Sequence, residues 1–224
     1  MRKQSTISNN TRNLVGIAVF SAMAFCVALV TNIPVGFLTF DAKDAVITVA
    51  SFIYGPVAAV IMSFITAFLE MITVGNTGPY GALMDFISTA SFTVTASLIY
   101  KYRRKLSGAI ISLGSAAVVY VAVMMIANLF ITPLYMGVSV VQVKALLPKM
   151  ILPFNVAKAL MNSALVMLVY KPVVNLTRRM GLAVSKSSSK KPAGKYFNKD
   201  TLVMASIAIV ALVSAIVIFV VLRK

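Results

Sequence analysis

Residues 38–56 read LTFDAKDAVITVASFIYGP, and the way this stretch is read sets the organisation of the whole chain. Two of the five acidic residues, Asp41 and Asp44, stand in it, followed by an uncharged run that ends at Gly55-Pro56. On either side the sequence is almost unbroken apolar helix. Carboxylates are expensive in such surroundings and require partners or a function.

Of the 224 residues, 60% are hydrophobic, and the mean hydropathy is +0.94. Several charge-free runs approach the roughly 20 residues that a helix needs to cross a bilayer. A helix satisfies its own backbone hydrogen bonds in hydrocarbon, whereas a barrel would show alternating segments of about ten residues, which are absent. The expected fold is therefore all-α, a polytopic membrane helix bundle with six core transmembrane helices and a seventh at the C-terminus.

The formal net charge is +16, from 21 Lys and Arg against 5 Asp and Glu. In a soluble protein this would suggest nucleic acid, but here the basic residues are gathered at the ends of apolar runs. Arg2, Lys3 and Arg12 form one patch, Lys101, Arg103, Arg104 and Lys105 a second, and the basic residues from Lys171 to Lys199 a third. Such patches flank membrane helices on the cytoplasmic side and suit contact with an anionic lipid bilayer, with no nucleic acid partner. The chain then divides into a cytoplasmic N-terminus at 1–13, a six-helix membrane domain at 14–179, a basic linker at 180–200 and an extra C-terminal helix at 201–224.

The first apolar run, residues 14–34, is too long for a signal-peptide core and reads as an uncleaved membrane helix. Ala18 and Ala22 are spaced by four, as are Ala24 and Ala28. Such small-residue faces let a second helix approach closely, either within the chain or from a partner. The lone cysteine, Cys26, excludes an internal disulfide and reads as a small core residue.

Residues 45–74 are interrupted by Gly55-Pro56 and Glu70, and they read either as one kinked helix or as two. If the N-terminus is cytoplasmic, two spans bring the basic patch at Lys101 to the same side as the others, and one span does not. The two-span reading leaves a short first helix, which is tolerable where protein or a cavity shields it, so a binding site is expected at that end. Further spans fall at 80–100, with Asp85 near its outer end, at 107–132, with Asn128, and at 153–170. In the last, Asn155, Lys158 and Asn162 stand at i, i+3 and i+7 on one face. A lysine there could snorkel outward, but two amides on the same face favour a polar pocket.

The sequence has no phosphate-binding Gly-x-x-x-x-Gly-Lys-Ser/Thr loop, no His-Glu-x-x-His and no Gly-x-Ser-x-Gly. It has no histidine at all. No catalytic residues, metal ligands or cofactor are expected, and any ATP-driven step must come from other subunits.

The order of these motifs resembles the substrate-binding (S) components of energy-coupling factor (ECF) transporters, and within them the riboflavin-specific type. The residues that carry the likeness are Ala18-x-x-x-Ala22, Leu38-Thr39-Phe40-Asp41-Ala42-Lys43-Asp44 leading to Gly55-Pro56, Ala127-Asn128-Leu129-Phe130 with Thr132-Pro133-Leu134-Tyr135, and Pro153-Phe154-Asn155-Val156-Ala157-Lys158. The resemblance implies a multi-pass protein of the bacterial plasma membrane that captures riboflavin from outside. It also implies a transmembrane coupling subunit and two ATPase subunits as partners, with Ala18 and Ala22 on the docking face. The implied ligand site comprises Leu38, Thr39, Phe40, Asp41, Asp44, Asn128, Asn155 and Lys158. Two features depart from the family pattern: Asp85-Phe86 stands where Asn-Phe is expected, and the linker and last helix are additional. An S component for another vitamin is the near alternative. A stand-alone proton-coupled transporter, using Asp41, Asp44, Glu70 or Asp85 as proton carrier, is the distant one.

Overall fold

A computed structural model describes residues 2–75, 77–104 and 106–179, with isolated positions at 209, 213, 214 and 220, and side chains chiefly over residues 11–170. The basic linker at 180–200 lies outside the described residues, as does nearly all of the seventh helix. In chain order the elements are α1 (Arg2–Thr31), a two-stranded hairpin of β1 (Ile33–Val35) and β2 (Leu38–Phe40), then α2 (Lys43–Tyr54), α3 (Pro56–Thr73), α4 (Gly78–Tyr102) and α5 (Leu106–Met136). Next come the short α6 (Val140–Leu146), a π-helical turn (Leu147–Ile151) and α7 (Leu152–Arg179).

Five segments are long and apolar enough to cross a membrane: Thr11–Thr31, Pro56–Thr73, Gly78–Tyr102, Leu106–Met136 and Val140–Tyr170. The sixth pass is α2. Its 12 residues span only about 18 Å at 1.5 Å per residue, less than the ~30 Å of hydrocarbon. The hairpin continues the pass at the N-terminal end of α2.

The break at Gly55-Pro56 separates two antiparallel helices. Gly55 has φ +94, which an L-residue with a side chain rarely adopts, and Pro56 then opens α3 with its ring at the first turn. Ile47 and Ala50 of α2 pack in one cluster with Ala58 and Met62 of α3. Farther along, Lys43 at the start of α2 meets Glu70 near the end of α3. A single kinked helix would hold these last two groups far apart.

The same reasoning orients the other helices. Phe52 stacks on Tyr100 with ring centroids 4.1 Å apart, and the Tyr100 and Tyr170 hydroxyls are 2.8 Å apart. These contacts place the ends of α2, α4 and described α7 at one end of the bundle. Lys101, Arg103 and Arg104 lie beside them, and Arg12 is near because Gly16 of α1 abuts Tyr54. The four described carboxylates, Asp41, Asp44, Glu70 and Asp85, are collected toward the other end.

Small residues allow the close packing that membrane helices rely on. Ala96, Ala109, Ala116, Ala159 and Ala164 are buried in the main cluster between α4, α5 and α7. Buried hydroxyls on the helices mostly return hydrogen bonds to carbonyls one turn back, as Ser63 does to Ala59 and Thr66 to Met62. The two alanine pairs of α1 separate: Ala24 and Ala28 are buried against the chain, whereas Ala18 and Ala22 are exposed. Cys26, expected in the core, is also exposed, because its position on the helix turns it away from the buried Ala24 and Ala28 face.

Two local features go beyond the helical spans read from the sequence. Residues 33–40 form the hairpin, turning at Gly36 with φ +61. The segment between the spans at 107–132 and 153–170 is largely helical. Gly137, at φ +64, ends α5, and Ser139 and Gln142 form a reciprocal capping box that starts α6.

Two glycines give opposite predictions for stability. Neither would place an added Cβ within 4 Å of another atom. Gly114 lies inside α5, so Gly114→Ala should stabilise by about 0.5–1 kcal/mol through helix propensity. Gly55→Ala should instead destabilise by about 1–2 kcal/mol, because its positive φ is strained for alanine. Thermal unfolding of the detergent-solubilised protein measures both, and a Gly55→Ala midpoint equal to or above wild type would contradict the strained turn.

Candidate functional site

A cavity of about 390 Å³ opens at the carboxylate-rich end of the bundle, within the size range of small-molecule sites. Its wall is drawn from the hairpin, from α3 and α4, and from α5 and α7, so it forms only when all these elements are assembled. Tyr120, Tyr135, Phe37 and Phe154 supply aromatic surface, and Asn155, Lys158, Asp41, Glu70 and Asp85 supply polar groups.

Lys158 comes from α7, about two turns past its start, and is 4% exposed. Its ammonium donates to Asp41 Oδ2 at 2.7 Å and lies 4.0 Å from Asp44 Oδ2. It does not snorkel outward: the nearest counter-charges are inside. An ammonium has three donors, so the Asp41 bond leaves donor capacity for a ligand. Among the described residues, Asp41 Oδ1 has no hydrogen-bond partner.

Asn155, one turn before Lys158, is fixed from both sides. Its amide donates to the Ile151 carbonyl at 2.7 Å, and its Oδ1 accepts from the Tyr120 hydroxyl at 2.7 Å. An asparagine has two N–H groups and two carbonyl lone pairs, so one of each remains. The face shared by Asn155, Lys158 and Asn162 is real, but its members have different surroundings. Asn162 donates to Asp44 Oδ2 at 3.1 Å, below the cavity.

Of the expected site residues, Leu38, Thr39, Asp41, Asn155 and Lys158 line the cavity. Phe40, Asp44 and Asn128 are buried behind the wall. Phe40 packs edge-on against Phe154. Asp44 receives the Thr89 hydroxyl at 2.7 Å as well as Asn162. Asn128 donates to the Met124 carbonyl and accepts from Thr132, both on its own helix.

Sequence reasoning overlooked Lys43. It is fully buried and donates at 2.6 Å to Glu70 of α3 and to Asp85 of α4. The signal was present in the alternation of Asp41-Ala42-Lys43-Asp44. Once a helix starts at Lys43, adjacent side chains diverge by about 100°, so Lys43 and Asp44 must seek different neighbours. Tyr120 and Thr89 carried no comparable signal, since aromatic and hydroxyl residues are common in membrane helices. Among the described residues no group of three His, Cys, Asp or Glu could hold a metal ion.

Lys43→Met would leave two carboxylates without their cation. Breaking a buried pair from one side costs about 3–5 kcal/mol, so this variant should unfold at a clearly lower temperature. Lys101→Met, at an exposed position, should change stability by less than about 0.5 kcal/mol. Equal midpoints for the two variants would refute the structural role of the Lys43 cluster.

Similarity to known proteins points the same way. The family described as ECF transporter, substrate-specific component, matches residues 12–170. The riboflavin transporter RibU of Staphylococcus aureus (strain TCH60) is 30% identical over 190 residues, covering 80% of this chain and 98% of its own length. The riboflavin transporter FmnP of Bacillus subtilis (strain 168) is 26% identical over 172 residues, covering 71% of this chain and 90% of its own. The solved S component of a bacterial ECF transporter superposes with a TM-score of 0.65 at 30% identity, over 76% of this chain and 99% of that one. The bundle, the matched region and these relatives together make this chain a polytopic membrane protein of the ECF transporter S-component family, a substrate-binding subunit for vitamin uptake.

Proposed function

We propose that the vitamin is riboflavin, bound in the cavity with the polar edge of its ring against Lys158 and Asn155. The observation that carries this reading is the pair of fixed donors, one turn apart, on the wall of a cavity that also presents aromatic surface. A flavin ring has a flat apolar body and an edge of carbonyl and ring-nitrogen acceptors with one imide N–H. The ammonium and amide donors match the acceptors, and the Asn155 carbonyl matches the N–H. Tyr120 and Phe154 offer surface for the ring. Two relatives named as riboflavin transporters support the same choice.

The proton-coupled alternative is less well supported. Asp41, Glu70 and Asp85 each contact a lysine ammonium, and Asp44 accepts two hydrogen bonds, so each carboxylate has a structural partner. Ligand enters from the open, carboxylate-rich end, which the basic patches put outside the cell. Energy for release comes from a transmembrane coupling subunit and two ATPase subunits, docked along the exposed Ala18 and Ala22 face of α1.

Titration of the purified protein with riboflavin, followed by quenching of flavin fluorescence, tests the pocket. Lys158→Ala removes a charged donor worth about 1.5–3 kcal/mol, so the dissociation constant should rise about ten- to a hundredfold, and Asn155→Ala should weaken binding less. Unchanged constants for both variants would remove these residues from the pocket, and no riboflavin binding by the wild type would overturn the ligand.

Docking has a separate test. Ala18→Trp/Ala22→Trp should abolish riboflavin uptake in cells that hold the ATPase module, while riboflavin binding by the purified variant stays at the wild-type level. Normal uptake by a normally expressed variant would rule out this face.

A further inference from the structure

Glu70 and Asp85 stand on the same cavity wall, yet the roles given to Lys158 and Asn155 leave them unused. They project from neighbouring helices, α3 and α4, and share Lys43 at 2.6 Å each. Lys43 is fully buried, whereas the two carboxylate side chains are 14% and 21% exposed. The cation lies behind, and the anions face the cavity. Lys158, on the same cavity, is paired with Asp41, whose Oδ1 lacks a partner among the described residues. Among the described residues no arginine lines the cavity, and Arg103 and Arg104 sit at the opposite end of the bundle, beside Tyr100.

We infer that Glu70 and Asp85 select the ligand by charge: they accept hydrogen bonds from the hydroxyl-bearing end of a neutral flavin and reject its phosphate ester. This rests on the riboflavin reading. With the ring edge at Lys158 and Asn155, the polyhydroxyl chain has the rest of the cavity to occupy, and its hydroxyls are donors. An ionised carboxylate only accepts, so Glu70, Asp85 and the unpartnered Asp41 Oδ1 form a wall that needs donors. A phosphate monoester brings acceptor oxygens and a charge of about −1.5 to −2. In a partly buried site that repulsion is screened far less than in water. Arginine or an uncommitted lysine facing the cavity would offset that charge, and the described lining has neither besides Lys158, which the ring edge takes.

Removing one carboxylate leaves the structure sound, since Asp85→Asn retains a one-to-one pair of Lys43 with Glu70, and Glu70→Gln retains one of Lys43 with Asp85. The experiment is a fluorescence titration of purified wild type, Asp85→Asn and Glu70→Gln with riboflavin and with flavin mononucleotide, its phosphate ester. Wild type is expected to bind riboflavin at least about tenfold more tightly than the ester. Each single substitution should lower that ratio by about threefold or more, with unfolding midpoints reported alongside. Equal affinities of the wild type for the two flavins would overturn the charge selection alone, as would a ratio unchanged in both variants. Failure of the wild type to bind riboflavin would overturn the functional reading and this inference together.

Discussion

The bundle depends on two buried lysines near the beginning of α2 and in α7. Lys158 pairs with Asp41 at 2.7 Å and ties α7 to the segment leading into α2. Lys43 pairs with Glu70 and Asp85 at 2.6 Å and ties α2 to α3 and α4. An isolated charge at membrane depth is costly, and pairing with hydrogen bonds makes it tolerable. Each lysine therefore dictates which helices must meet, more specifically than apolar packing can in a solvent as apolar as the side chains themselves.

This arrangement divides the molecule along its length. At one end Phe52, Tyr100 and Tyr170 close the bundle with stacked and edge-on rings, and exposed basic residues follow. At the other end charges and amides keep the helices from filling the interior with side chains, and a cavity remains. The short α2 makes this possible. A full-length helix would place its own backbone where the hairpin now bends over the cavity, and the hairpin's Val35, Leu38 and Phe40 are anchored on Val143, Ile151 and Phe154.

The exposed Ala18 and Ala22 are the outward counterpart of the buried Ala24 and Ala28. The same small-residue spacing serves two surfaces because α1 turns about 100° per residue, so pairs offset by six positions present different faces. Sequence spacing marked both pairs as places of close approach. Burial alone shows which pair the chain uses for itself.

Fold class and the importance of residues 38–44 were legible in the sequence because they follow from hydropathy, segment length and the cost of carboxylates in hydrocarbon. The break at Gly55-Pro56, and the common end of Arg12 and the Lys101 to Arg104 patch, followed from local chemistry and charge position. Pairing was not legible: Lys43 with Glu70 and Asp85, and Lys158 with Asp41, join positions 27 to 117 residues apart. Nor could the sequence separate Asn155, on the cavity wall, from Asn128, which is buried behind it and bonded along its own helix. Composition and periodicity determine which residues are costly to bury and on which helix face they lie. The partner that makes burial tolerable is fixed only when the helices assemble, because ion pairs and hydrogen bonds act over a few ångströms between chain segments whose approach no local pattern encodes.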